Sequence, residues 1–226
     1  MKILALDAST EALSAALFDS DRPAQAQEIF EIAPRAHAAR LLPAVQSLLT
    51  DNALSLADID GIGFARGPGA FTGLRIAAGL VQGLAGGANL PVVAISTLAA
   101  LAARAFDRAP EARRVQVVQD ARMGEIYTAT FTRETMPTPD TDERVIVPAD
   151  LVLEPVQSTL RAGNGWPLVF AARDLAATPV AADLPHAIDV ARLAWPVLAA
   201  GQGAPAAAAL PVYVRDDVAR KPAGIS

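Results

Sequence analysis

An α/β fold built on a mixed sheet is what this sequence predicts, and three observations lead there. Residues 3–6 are a continuous apolar run, as a strand buried on both faces requires. The first half then reads strand, strand, strand, helix, strand, helix, an order that stacks helices on a sheet. Residues 61–87, GIGFARGPGAFTGLRIAAGLVQGLAGG, pass from an apolar strand through a glycine-proline turn into a long apolar helix.

Taken in order, residues 3–6 end at Asp7, and Ala8-Ser9-Thr10-Glu11 turns the chain into a second strand at 13–18. The polar turn 19–23 leads to a third strand at 27–32. Pro34-Arg35-Ala36-His37 opens a helix in which Leu41, Val45, Leu48 and Leu49 recur at helical spacing, with Pro43 inside it to bend it. A strand at 59–65 turns through Arg66-Gly67-Pro68-Gly69, where the glycines admit angles closed to other residues. Thr72 is the expected cap of the next helix. Strand 92–95 and helix 97–106 complete this half, and the charged segment 107–114 marks a boundary between a lobe of 1–108 and one of 109–226. Beyond it, strands at 115–119 and 126–132 flank Asp120-Ala121-Arg122-Met123-Gly124-Glu125, and 133–144 reads as an exposed loop. Short elements at 145–147 and 168–170 surround a helix at about 149–157 and a Gly163-Asn164-Gly165 turn. Residues 187–199 are helical in pattern despite Pro196. Residues 201–210 read as a flexible connection, and 211–221 as a short strand with charges.

The helix after the glycine-proline turn carries the functional expectation. Between Leu74 and Leu84 its strongly polar side chains are Arg75 and Gln82 alone. Leu74, Ala77, Ala78, Val81 and Leu84 can face a sheet, while Ile76, Gly79, Leu80, Gly83 and Gly87 make a second face. The three glycines lie one turn apart and would form a groove open to another backbone. Each costs roughly 1 kcal/mol against alanine, and a helix apolar on two faces is normally buried on both. The second face therefore meets either a partner protein or the chain's own second half.

Composition narrows the function classes. The 226 residues are 52% hydrophobic and 19% charged with net charge −5, which disfavours tight nucleic-acid binding by the chain alone. There is no cysteine, so disulfides, thiolate metal sites and a Cys nucleophile are excluded, and a cytoplasmic home is expected. No apolar run reaches the roughly 20 residues of a membrane span, and MKILALDAST reads as a strand, not a secretion signal.

ALDAST, PRAHAARLLP, RGPGAFTGLRIAAGLVQGLA, DARMGEIY, GNGW and PVYVRDDVA occur in an order that resembles the TsaB (YeaZ) family across essentially the whole chain. The resemblance implies a two-lobed actin-like (ASKHA, ribonuclease H-like) fold. It also implies a non-catalytic subunit in the formation of threonylcarbamoyladenosine beside the tRNA anticodon. The implied partners are TsaD, which performs the transfer, and the ATPase TsaE, with a homodimer when TsaD is absent and tRNA engaged only through the complex. The family's pairing surface corresponds to residues 36–49 and 71–87. His37, Arg40, Leu41, Val45 and Leu48 on the first helix are the expected contacts, with Ile76, Gly79, Leu80 and Gly83 on the second. Arg66 and Arg75 flank the turn and are expected to touch a partner or a nucleotide.

The chain's own chemistry reads as weak. The positions matching the His-x-x-x-His metal pair of the catalytic relative are Thr97 and Leu101, neither of which replaces an imidazole. His37 and His186 are far apart, so no metal site is expected. Ser9 stands where actin-like ATPases place a phosphate-loop glycine, and Asp7 reads as a cap of its turn. No cofactor of its own is expected, with ATP or ADP confined to a composite interface. The helix N-terminus after Gly67-Pro68-Gly69 could attract an anion, but it lacks a P-loop ending, and a plain tight turn is the simpler reading. An independent actin-like ATPase or peptidase is the alternative, and a homodimeric binding protein outside tRNA modification is a third.

Overall fold

The computed structural model describes residues 1–215. Its first sheet has the order β3-β2-β1-β4-β5, made of β1 (Lys2–Asp7), β2 (Ala12–Asp19), β3 (Gln27–Ile32), β4 (Gly61–Gly67) and β5 (Val92–Ser96). Strands β1, β2 and β3 are antiparallel neighbours, and β4 and β5 run parallel to β1, so the sheet is mixed as predicted. The second sheet, β8-β7-β6-β9, joins β6 (Arg114–Arg122), β7 (Glu125–Thr132), β8 (Arg144–Ile146) and β9 (Thr159–Ala162).

Alternation along β1 explains the layers. Leu4 and Leu6 point to one face, packed with Leu41, Val45 and Leu48 of α1 (His37–Asp51) and Ala77, Val81 and Ala85 of α2 (Phe71–Ala88). Ile3 and Ala5 point to the other, against Ala187, Val190, Ala191 and Ala194. These belong to α5 (Ala187–Ala199), which is continuous through Pro196. A division at 108/109 coincides with the passage from one sheet to the other, yet α5 comes from beyond it and covers the first sheet. Between the sheets, α3 (Thr97–Arg108) buries Leu98, Leu101, Ala102 and Ala105 against Val115, Val117 and Phe131. The short α4 (Trp166–Ala172) closes the far side of the second sheet through Trp166, Val169 and Phe170.

Several local expectations need correction. Helix α2 starts at Phe71 after Ala70, which supplies no side-chain cap, so Thr72 lies inside the first turn and cannot cap it. The helix expected at 149–157 is a single 3-10 turn, Pro148–Asp150. Beyond that turn Gln116 holds the backbone, its Nε2 donating to Val152 O at 2.7 Å and its Oε1 accepting from Glu154 N at 3.1 Å. The polar TLRA segment forms β9, whose strand character comes from parallel pairing with β6 and not from apolar alternation. Residues 201–210 are pinned: Ala204 exchanges two 2.8 Å backbone bonds with Val92, and Ala206–Ala208 form a 3-10 turn. Residues 211–215 form no strand, and the rest of that expected segment lies outside the described residues.

Candidate partner-binding surface and cleft

Burial sorts the predicted contacts of α1. Leu41, Val45 and Leu48 are 0–3% exposed and belong to the core, which corrects their assignment as partner contacts. They recur at helical spacing because they cover the sheet, and the same spacing cannot distinguish that role from pairing. His37 is also buried, its Nε2 lying 3.1 Å from Ala12 O and holding the start of α1 to β2. Arg40 remains exposed and pairs with Glu31 at 2.7 Å. The outward face of α1 instead presents Arg40, Leu42 and Gln46, of which Leu42 was missed because it lies outside the apolar repeat.

On α2 the two faces separate as the sequence suggested except at Leu84, which was expected to face the sheet and is only half-buried. Leu74, Ala77, Ala78 and Val81 are buried, Ile76, Leu80 and Leu84 are half-buried, and Gly79, Gly83 and Gly87 are exposed. A Cβ built on any of these three glycines would meet nothing within 4 Å, so the groove is uncovered by the described residues. The first turn of α2 is different. A Cβ on Gly73 would sit 1.9 Å from Ala8 O and one on Gly69 2.4 Å from Ser9 O, while Ala70 N donates to Ser9 O at 2.7 Å. Gly69 and Gly73 are thus explained by close backbone packing on the Asp7–Thr10 turn, whereas Gly67, at φ +111°, leaves room for Val212 O, which a Cβ there would meet at 2.7 Å.

Arg66 and Arg75 are both engaged within the chain. Arg66 pairs with Glu143 at 3.2 Å, and Ser96 Oγ also donates to Glu143, so the loop after β7 is tied back to the first sheet. The Arg75 guanidinium lies 3.8 Å from the Phe71 ring centroid and donates from Nε to Tyr213 Oη at 2.8 Å. Phe71 and Tyr213 are about 40% exposed, a surface aromatic-arginine cluster of the composition enriched at protein interfaces. Sequence alone could not reveal it, since Tyr213 is 138 residues from Arg75.

Beside this cluster a cleft opens between the sheets, lined by Ser9, Gly69, Gln119, Arg122, Asn164 and Arg215 among others. Asp7 lies behind it, 1% exposed, with Oδ1 accepting from Ser9 N at 2.6 Å. Burial pushes its carboxyl above the usual carboxylate range. Thr97 and Leu101 are both fully buried, Leu101 within the core around α3, and no cluster of three metal-ligating side chains occurs among the described residues.

A family model described as TsaD, tRNA N6-adenosine threonylcarbamoyltransferase, matches residues 29–210. The tRNA threonylcarbamoyladenosine biosynthesis protein TsaB of Escherichia coli K12 is 39% identical, over 98% of this chain and 97% of its own. The chain belongs to the TsaB family. TsaB of Haemophilus influenzae is 36% identical over 98% of this chain and 96% of its own. The structure of YeaZ from Pseudomonas aeruginosa superimposes with a TM-score of 0.82 at 43% identity, covering 94% of this chain and 99% of that one. The two-lobed, actin-like arrangement expected from the resemblance is therefore the TsaB/YeaZ fold. Among the described residues of this TsaB-family chain, no helix is long and apolar enough to cross a membrane.

Proposed function

We propose that this chain serves threonylcarbamoyladenosine formation in tRNA as a non-catalytic subunit that docks onto TsaD through α1 and α2. One observation carries the reading: α2 presents three uncovered glycines at one-turn spacing between half-buried Ile76, Leu80 and Leu84. A helix face this apolar and this low in side-chain bulk lets a second helix backbone approach closely, and its glycines weaken the helix unless packing offsets them. Family membership supports the pathway, since the E. coli and H. influenzae relatives are named for it. The match to a TsaD model supports pairing of like with like.

In this reading TsaE joins the pair, tRNA is engaged only through the complex, and the protein works in the cytoplasm. The same surface closes a homodimer when TsaD is absent, and ATP or ADP binds only at the composite interface. Arg75, Phe71 and Tyr213 extend the docking surface beyond the groove, while Arg40 and Leu42 contribute from α1.

The test is co-purification of Gly79→Leu and Gly83→Leu with TsaD. Because neither position has a neighbour within 4 Å, both variants should fold, with helix propensity raising monomer stability by about 0.5–1 kcal/mol each. Size-exclusion chromatography should show the complex lost and the monomer intact. Undiminished pairing by both variants would refute the groove as the docking site.

A further inference from the structure

Strands β3 and β4 both run parallel to β1, because β3 is antiparallel to β2 and β2 to β1. Helices α1 and α2 follow those strands and pack on one face of the sheet, so they lie parallel with both N-termini at the same end. Neither start has a side-chain cap or an acidic residue in its first turn. The positive ends of the two helix dipoles, about half an elementary charge each, therefore add without a counter-charge of their own.

Side-chain charge has the same sign there. Of the 24 acidic residues, α2 holds none and α1 only Asp51, its last residue, at the opposite end. Beside the N-terminal end Asp7 is buried, and the carboxylates of Glu31, Glu11 and Glu143 are already engaged by Arg40, Arg122 and Arg66. Arg35, in the turn that opens α1, and Arg75, in the first half of α2, are both exposed and belong to no ion pair among the described residues. Arg35 sits at φ +68°, a left-handed conformation costly for a residue with a Cβ. Arg75 is held over the Phe71 ring with Nε on the Tyr213 hydroxyl, and its two terminal nitrogens make no bond among the described residues. A chain of net charge −5 thus carries a positive patch on the face that holds the glycine groove.

We propose that the partner docking on this face presents carboxylates opposite Arg35 and Arg75, which steer the encounter and fix which end of the groove meets which end of the partner. The inference rests on the proposed docking onto TsaD and adds the chemistry of the surface TsaD must offer. Charge complementarity of this kind sets association rate and register more than affinity. It acts over about one Debye length, roughly 10 Å at 0.1 M salt. A second copy of the chain fits less well, since its own α1 and α2 bring the patch only Asp51.

Stopped-flow mixing of the whole chain with TsaD, in buffer free of nucleotide and phosphate, measures the association rate as NaCl rises from about 50 to about 500 mM. The wild-type rate should fall roughly tenfold. Arg35→Glu combined with Arg75→Glu should slow association about tenfold or more at the lowest salt and abolish or invert the salt dependence. Arg35→Gln alone, in an exposed turn, should give a smaller effect of the same sign. Arg113→Glu with Arg144→Glu makes the same change of net charge at exposed positions at or beside the second sheet, and should slow association by less than about twofold. A wild-type rate indifferent to salt overturns the proposal and leaves docking itself intact, whereas complete failure to associate overturns both. The proposal also fails if the control pair slows association as much as the Arg35 and Arg75 reversal. It fails equally if association appears only when ATP or ADP is added, or if the reversal weakens self-association and not pairing with TsaD.

Discussion

Asp7 shows how a single side chain can carry opposing demands. Its Oδ1 caps the turn through Ser9 N, which favours the ionised carboxylate, but burial opposes ionisation more strongly and the pKa is raised from 3.8. A carboxyl with a raised folded-state pKa holds its proton more tightly folded than unfolded. Its contribution to stability is therefore fully present below the unfolded value and is lost as pH rises from about 3.8 through the folded pKa. Asp189, buried beside Arg104 at 3.0 Å, has the same sign because burial is again the largest influence. Glu28 has the opposite sign, because hydrogen bonds from His186, Ser14 and Ile188 together outweigh its burial. Comparing wild type with Asp7→Asn cancels the last two contributions. The Asn variant should keep the Ser9 bond and lose the decline of stability above pH 3.8. Urea midpoints measured across that range should then diverge from wild type as pH rises, with the variant the more stable. Parallel curves would remove Asp7 from the account.

Helices α1 and α2 mark how far an amphipathic pattern can be read. The 3.6-residue repeat of Leu41, Val45 and Leu48 locates α1 correctly, but periodicity identifies a buried stripe without saying whether the chain or a partner buries it. Here the chain does. For α2 the polar count was low enough to require two buried faces, and the second was identifiable because Gly79, Gly83 and Gly87 fall on it together. Gly73 looks like them in sequence but serves the opposite purpose, with the Ala8 carbonyl filling its Cβ position. The failures have local causes. Thr72 resembled a cap but sits two residues past the cap position at Ala70, and β9 depends on its partner strand for its identity. The cleft residues and the Arg75–Tyr213 contact join distant segments that only the folded chain brings together. The α1 correction yields a paired test. Leu48→Ala should cost about 2–5 kcal/mol of folding stability as a large-to-small core change. Leu42→Glu, on the exposed face, should leave the denaturation midpoint near wild type while weakening association with TsaD. If Leu42→Glu pairs normally, the outward face of α1 takes no part in docking.

At the scale of the whole molecule, the segment from Leu210 to Arg215 straps the two sheets together beside the cleft. Val212 N donates to Arg66 O at 2.8 Å at the end of β4, and Tyr213 Oη accepts from Arg75 on α2. Three residues from Val212, Arg215 bonds Glu125 and Ala121 O in the β6–β7 hairpin of the second sheet. Two further bridges cross nearby, Arg122 to Glu11 and Arg66 to Glu143. Helix α2, the cleft and the second sheet therefore share one short run of chain, so loosening the run at its far end should be felt at the hairpin first. Arg215→Ala removes the hairpin contacts to Glu125, Ala121 O and Met123 Sδ and leaves the Val212 and Tyr213 bonds in place. Partly exposed ion pairs contribute about 1 kcal/mol or less, which corresponds to roughly fivefold faster local opening. Hydrogen exchange should then quicken by about that factor at residues 121–125, with the core amides of α2 between Ala77 and Val81 unchanged. Acceleration across α2 as well would mean that the sheets open as one unit and not locally. An unchanged hairpin would mean that Arg66, Glu143 and Glu11 hold the sheets together without the strap.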